Sequence, residues 1–497
     1  MNVFLLYPDR DFNPQEKLPP QTEDLIQDLE FNTILNAMAK GDKFLFNVAK
    51  QTIFTSLTDP QEIRYRQAIL QDCLNNESVV RDLYQIPIKS IENKQSQWLG
   101  IFSNYPGGIL SSAVQFLEML VGLLHQMKQI VDQHASNFKS EGFQRFFRMI
   151  QQELDDAYFE EVEEHLQTLR FRKGVLISAQ LGRGNEGTNY VLRRPNRQDD
   201  PWVLRLISRK APIYSYTIAP RDDHGARAIG ALRDRGINLV ANAVAQSADH
   251  VDNFLTTLRT ELGFYIGCLN LAEQLKAYDE PIAFPTVLPA DKRSHSFMGL
   301  YEVALSLLKN QKVVGNDIHA HEKDLVFITG ANQGGKSTFL RSVGQAQLMA
   351  QCGMFVGAES FEANVCHGLF THFRREEDAT MQRGKLDEEL SRMSVIIDEI
   401  KPHSMILFNE SFAATNEREG SEIARQIINA LLERKIKIFF VTHQYELAQS
   451  FYEKNMPNIL FLRAGRQTDG KRTFKLNVGK PLPTSFGRDV YRAIFEK

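Results

Sequence analysis

Gly330-Ala331-Asn332-Gln333-Gly334-Gly335-Lys336-Ser337 matches the phosphate-binding pattern G-x-x-x-x-G-K-[ST] at every fixed position, and its setting decides the fold. The apolar run Leu325-Val326-Phe327-Ile328 stands directly before it. A helix-like stretch from Ser337 through Leu348 follows, so the glycine loop lies between a strand and a helix, as the pattern requires. Backbone N–H groups of the loop are expected to cradle phosphates at a helix N-terminus, with Lys336 reaching the outer phosphates and the Ser337 hydroxyl binding magnesium. The stretch predicts a protein that handles a nucleoside triphosphate.

Outward from this loop, the pattern from about residue 312 is strand-helix-strand, with buried strand candidates at 325–329, 405–408, 436–441 and 459–462. That rhythm predicts an α/β nucleotide-binding domain. Met405-Ile406-Leu407-Phe408 runs into Asn409-Glu410, a strand end where a carboxylate can activate water, so Glu410 is the candidate general base. A further strand ends in Thr442-His443, from which an imidazole can orient the terminal phosphate and the attacking water.

The N-terminal half reads differently. Asp28 to Leu74 is helix-like, with Phe31, Ile34, Leu35 and Met38 at helical spacing and a break at Leu57-Thr58-Asp59-Pro60. Two ladders of alternating three- and four-residue steps predict long helices: Ala113, Phe116, Leu120, Leu123, Met127, Ile130, and later Leu255, Leu258, Leu262, Tyr265, Leu269, Ala272. Between them, about 170 to 235, the helical rhythm gives way to short runs such as Val175-Leu176-Ile177 and Trp202-Val203-Leu204-Arg205-Leu206, separated by Gly, Asn and Pro. From Arg170 to Arg235 there are 14 Lys and Arg against 6 Asp and Glu, a local basic excess suited to phosphate contacts. Gly182-Arg183-Gly184-Asn185-Glu186-Gly187 matches G-x-G-x-x-G, but the strand-like Thr188-Asn189-Tyr190-Val191-Leu192 follows it where a dinucleotide site requires a helix, so it is read as a turn. Phe451-Tyr452-Glu453, an aromatic-x-acid triplet, falls on an expected surface helix.

Composition bounds the rest. A chain of 497 residues should divide into about three units. With 58 basic and 61 acidic residues its net charge is −3, so any surface for a polyanion must be local. Cys73, Cys268, Cys352 and Cys366 form no C-x-x-C pair and are too sparse for a disulfide framework. The N-terminus lacks a basic segment followed by an apolar run, and no 18 consecutive apolar residues occur, so no membrane association and a cytoplasmic location are expected.

Three segments together resemble the ATPase domain of the MutS DNA mismatch-repair family: Thr329-Gly330-Ala331-Asn332-Gln333-Gly334-Gly335-Lys336-Ser337-Thr338, the strand ending Asn409-Glu410, and Phe440-Val441-Thr442-His443-Gln444-Tyr445-Glu446-Leu447. Val313-Val314-Gly315-Asn316-Asp317 resembles that family's Asn-Asp element, and Leu57 through Gln67 is similar to the start of its core domain. The resemblance implies an α/β P-loop ATPase domain of ABC/MutS type, preceded by an all-α core and lever with a small strand-rich insert. The segments would be an N-terminal stretch 1–27, helical core and lever 28–169, a basic clamp-like insert 170–235, the helical return 236–311, and the ATPase domain 312–497.

By that resemblance the cofactors are ATP and Mg2+. The nucleotide would be held by Gly330, Asn332, Gly334, Gly335, Lys336, Ser337 and Thr338, the metal by Ser337 and Asn409, and Glu410 and His443 would be catalytic. The chain would form a homodimer, contact DNA backbone through 170–235 and the lever helices, and signal to repair proteins that the sequence does not name. A partner's signature segment would complete each site, here Arg383-Gly384-Lys385-Leu386-Asp387-Glu388-Glu389-Leu390, where Gly384 and Lys385 replace the family's small hydroxyl residue. Ala414-Thr415-Asn416-Glu417 is expected to be an interface loop. Asn409 stands where the family has an acid, which implies a slow ATPase. Core-like sequence begins by about residue 28 and 54 residues follow His443, so neither a mismatch-recognition domain with its connector nor an appended nuclease domain is expected within this sequence. The competing expectation is an ABC-type ATPase or nucleotide-gated scaffold that acts on a partner other than DNA.

Overall fold

In the computed structural model, which describes residues 1–98, 105–172, 174–194, 214–375, 384–467 and 471–483, the chain opens with α1 (Thr22–Asp28), α2 (Phe31–Ala39), α3 (Lys43–Phe54) and α4 (Pro60–Asn75). Next come α5 (Glu77–Trp98), α6 (Pro106–His134), α7 (Glu141–Glu153) and α8 (Asp156–Leu169), then a hairpin of β1 (Leu176–Leu181) and β2 (Gly187–Arg193), and the 55-residue α9 (Asp223–Ala277). The C-terminal part alternates: β3 (Thr286–Leu288), β4 (His295–Leu300), α10 (Val303–Lys309), β5 (Asn316–His319), β6 (Leu325–Gly330), α11 (Lys336–Gln351), β7 (Ser360–Asn364) and β8 (Leu369–Phe373). It ends with α12 (Lys385–Glu399), β9 (Met405–Asn409), α13 (Glu417–Glu433), β10 (Lys437–Val441), α14 (Tyr445–Glu453), β11 (Ile459–Arg466) and β12 (Arg472–Val478).

The chain divides into two compact units. One comprises Met1–Val3, Arg81–Asn137 and Gln144–Arg259; the other Phe4–Val80, Phe138–Phe143 and Thr260–Lys497.

In the first unit, the ladder on α6 turns Ala113, Phe116, Leu120, Leu123 and Met127 inward. By length and composition α6 is apolar enough to cross a membrane, and 44% of its most apolar stretch is buried within the fold. Phe146 stacks on Phe254 at 6.4 Å, and Arg170 grips Glu118 with two hydrogen bonds of 2.9 and 2.6 Å. The hairpin pairs Leu176 with Arg193 and turns through Gly182–Gly187, so the glycine motif there is a turn, with Gly184 at φ +75°. The run Trp202–Leu206 lies outside the described residues.

In the second unit, a six-stranded sheet runs β12-β11-β6-β10-β9-β8, parallel except for the antiparallel edge strand β12. Continuous apolar runs suit strands covered on both faces, and Leu325 to Ile328 and Ile438 to Val441 are all buried. Phe327 sits at the centre, 5.7 Å from Phe440, 5.3 Å from Phe451 and 5.6 Å from Phe461. Phe451 is therefore a core residue on its helix, although its triplet reads as part of a surface helix. Removing a ring so placed costs about 3–5 kcal/mol. A smaller sheet, β3-β7-β4-β5, lies in the same unit.

The N-terminal residues of this unit form a strap through its core. Fully buried Glu261 accepts from the backbone N–H groups of Leu5 at 2.6 Å, Leu6 at 3.1 Å and Phe12 at 2.7 Å. Burial pushes its carboxyl up to about 7 against the pull of those donors. Buried Arg66 donates to Leu6 O at 2.6 Å and to Cys352 O, just past α11, at 3.3 Å. The predicted break before residue 60 holds: Asp59 caps α4 by accepting from Gln61 N at 2.8 Å, with Pro60 in its first turn.

Three boundaries differ from the sequence expectation. Residues 4–80 fold with the unit that holds the six-stranded sheet instead of continuing into one helical core. The helical return ends at Ala277, and 286–300 supplies β3 and β4, which are too short and too interrupted by polar residues to show a strand rhythm. Helix α9 begins at Asp223, inside the expected insert, where Gly225, Gly230 and many arginines obscure its periodicity.

Candidate functional site

The glycine loop joins β6 to α11 through residues whose backbone demands glycine. Gly330 and Gly335 have φ +109° and +88°. A Cβ on Gly330 would lie 2.9 Å from Ala464 N, and one on Gly334 only 2.7 Å from Ala464 Cβ and 2.8 Å from Ala331 O. Gln333 takes φ +56° without being glycine, a local strain inside the loop.

Lys336 opens α11 and folds back over the loop, its Nζ donating to Ala331 O at 3.0 Å and Gly330 O at 3.3 Å. Burial lowers its ammonium to about 8, while the Glu410 carboxylate pulls the other way and Arg472 adds to the lowering. Ser337 Oγ donates to Asn409 Oδ1 at 3.0 Å, so the hydroxyl and amide expected to face a metal are adjacent. Arg472 Nε on β12 donates to Asn332 O at 3.2 Å and ties the loop to the edge of the sheet.

The parallel register sets the opposite wall. Phe408 pairs with Phe440 and Asn409 with Val441, so β9 and β10 end level and release Glu410 and His443 side by side. His443 Nε2 lies 2.9 Å from Glu410 Oε1. That hydrogen bond, the charges of His443 and Lys336, and Arg374 hold the carboxyl below its usual range in spite of burial. Glu410 is therefore an ionised acceptor beside the loop.

Asn332, Gly334, Gly335, Lys336, Ser337, Thr338, Glu410 and His443 line one cavity of about 750 Å³. Gly330 shapes the loop from beneath, and Asn409 is reached through Ser337. The residues fit a triphosphate with a divalent cation: a glycine cradle that any Cβ would fill, a cation held on loop carbonyls, and a hydroxyl-amide pair. Sequence reasoning missed Tyr301, Glu302 and Phe474, which also line the cavity. Asn316, from the Asn-Asp element, accepts from Leu476 N at 2.7 Å and donates to Phe474 O at 3.3 Å, which explains how a distant strand reaches the site.

Of the signature segment, Arg383 lies outside the described residues, while Gly384 caps α12 and Lys385 to Leu390 form its start. In Ala414–Glu417, Asn416 caps α13 by accepting from Glu419 N at 3.0 Å. The four cysteines are free and buried.

Comparison with known proteins finds matches in both halves of the chain. The model of the MutS2 N-terminal domain matches residues 58–278, and that of MutS domain V matches residues 326–494. The chain is 37% identical over 150 residues to the DNA mismatch repair protein MutS of Thermotoga sp. (strain RQ2), covering 30% of this chain and 19% of that protein. It is 28% identical over 247 residues to Endonuclease MutS2 of Lactobacillus acidophilus, covering 49% and 30%. With MutS of Thermus aquaticus the identity is 35% over 185 residues, covering 37% and 22%. The matched stretches thus span less than a third of the length of these relatives.

Proposed function

The chain belongs to the MutS family, and on that premise we propose that it is an ATP-dependent DNA-binding protein that hydrolyses ATP and serves genome maintenance such as mismatch repair. The observation that carries this reading is the Glu410–His443 pair, 2.9 Å apart, on the wall of the cavity that the glycine loop lines.

The loop amides and Lys336 grip the phosphates, and Lys336 loses its contacts to the loop carbonyls in exchange for phosphate oxygen. Ser337 and Asn409 would hold Mg2+, which when bound offsets phosphate charge. Ionised Glu410 takes a proton from water as general base, and His443 keeps that carboxylate oriented. Asn409 brings no charge to the metal, so turnover is slow.

ATP binding joins two copies, a partner's α12 closing each site, and the closed dimer grips DNA backbone through the basic segment 170–235. The amide at Asn409 favours a second reading, a nucleotide-gated scaffold that binds ATP without repeated turnover. The test is ATP turnover and oligomeric state with and without duplex, mismatched, single-stranded and branched DNA, across a salt series. DNA-stimulated turnover and an affinity that falls steeply with salt support the first reading. ATP binding without turnover supports the second, and a protein indifferent to DNA and to adenine nucleotides refutes both.

A further inference from the structure

The turn that presents Glu410 is held in an unfavourable backbone conformation. Glu410 has φ +56° and Phe412 φ +61°, the left-handed region that disfavours a non-glycine residue. Its surroundings must therefore enforce it. Two restraints come from the β10 side: Glu410 N donates to Val441 O at 2.9 Å, and Gln444 Nε2 to Phe412 O at 3.0 Å.

The third restraint is His372, a fully buried residue of β8 in neither the glycine loop nor the cavity lining. Its ring stacks on Phe412 at 5.1 Å and 19°. Its Nε2 is 2.9 Å from Glu389 O on α12, and its Nδ1 is 2.7 Å from Ser411 Oγ. A backbone carbonyl only accepts, so Nε2 carries the proton and Nδ1 of the neutral ring is an acceptor for the Ser411 hydroxyl. That hydroxyl has a single proton and also lies 2.5 Å from His372 O, so it donates to one of two acceptors on the same residue, the ring Nδ1 or the backbone carbonyl.

We propose that His372 is a positioning residue for hydrolysis: through Ser411 it fixes the turn that aims Glu410, and through the Glu389 carbonyl it ties that turn to α12. The proposal rests on Glu410 acting as the base. A displacement of α12 then reaches the turn through this imidazole as well as through the Glu389 carboxyl, which accepts from the Phe412 backbone.

The experiment compares Ser411→Ala, His372→Gln and His372→Asn for turnover, nucleotide affinity and melting temperature. Gln keeps a donor where Nε2 stands but offers Ser411 no side-chain acceptor, leaving it only the backbone carbonyl of residue 372. Asn places its Oδ1 near the site of Nδ1 and keeps Ser411 held. Ser411→Ala and His372→Gln should lower kcat about 10- to 100-fold with the nucleotide Kd unchanged within about twofold, the double variant should be no slower than either, and His372→Asn should recover most of the rate. Parental turnover in Ser411→Ala, or equal loss in the Gln and Asn variants, overturns the proposal. If the parental protein itself turns over no ATP, the reading of Glu410 as base fails. Amide hydrogen exchange at residues 410–412 then decides: faster exchange in Ser411→Ala upholds the clamp, and unchanged exchange overturns it.

Discussion

Glu410 and His443 meet at 2.9 Å because β9 and β10 are parallel and in register, so one strand end delivers the carboxylate and its neighbour delivers the imidazole. Neither residue contacts the other in sequence, and the pairing of Asn409 with Val441 is what makes them partners.

Removing the carboxylate should therefore abolish chemistry and spare binding. Glu410→Ala is expected to lower ATP turnover at least ~100-fold, a typical general-base contribution, while a fluorescent ATP analogue binds with near-parental affinity. Parental phosphate release from this variant would reassign the base.

Asn409 makes the opposite prediction. Asn409→Asp places a charge beside Ser337 Oγ, 3.0 Å away in the parental chain. It should tighten the magnesium requirement and raise kcat by about three- to tenfold, read from turnover against magnesium concentration. A slower variant would mean that the amide is tuned to this site.

Lys336 predicts a pH dependence. Its ammonium is lowered to about 8 by burial, so the unliganded protein sheds that proton as pH rises through 8, and phosphate binding must take it back. The nucleotide Kd should weaken about tenfold between pH 7 and pH 9. Without nucleotide the sign for stability is reversed: the desolvated charge disfavours folding below 8, and the penalty lifts as pH rises from 8 towards 10.5. Binding titrations of Lys336→Met should be weak and flat across this range; a parental slope in that variant would assign the proton elsewhere.

Glu261 carries the strap. Glu261→Ala strands three buried N–H groups, those of Leu5, Leu6 and Phe12, and should cost roughly 3–5 kcal/mol. Chemical denaturation measures it. A loss under about 1 kcal/mol would mean that water replaces the carboxylate.

The loop was legible in the sequence because its signals are local: an apolar strand, glycines at fixed spacing, then a helix. Glu410 and His443 were legible for the same reason, each standing at the end of a continuous apolar run. Tyr301 and Phe474 were not, since they reach the cavity only through tertiary pairing, Phe474 by way of Asn316 some 158 residues away. His372 left no trace either: a lone histidine inside an apolar strand looks like any core residue until Ser411 and Glu389 are seen on its two nitrogens. Element ends are hardest to read where elements are short or glycine-rich, as in 286–300 and the first turns of α9.

Ala464 lies towards the end of β11, outside every recognisable motif, yet it leaves no room for a side chain on the loop: a Cβ on Gly334 would meet its methyl group at 2.7 Å and one on Gly330 its backbone N at 2.9 Å. Those three positions form an indivisible set. A valine at 464 would crowd the loop as surely as an alanine at 334, and variation in this unremarked strand would surface as a defect in gripping nucleotide.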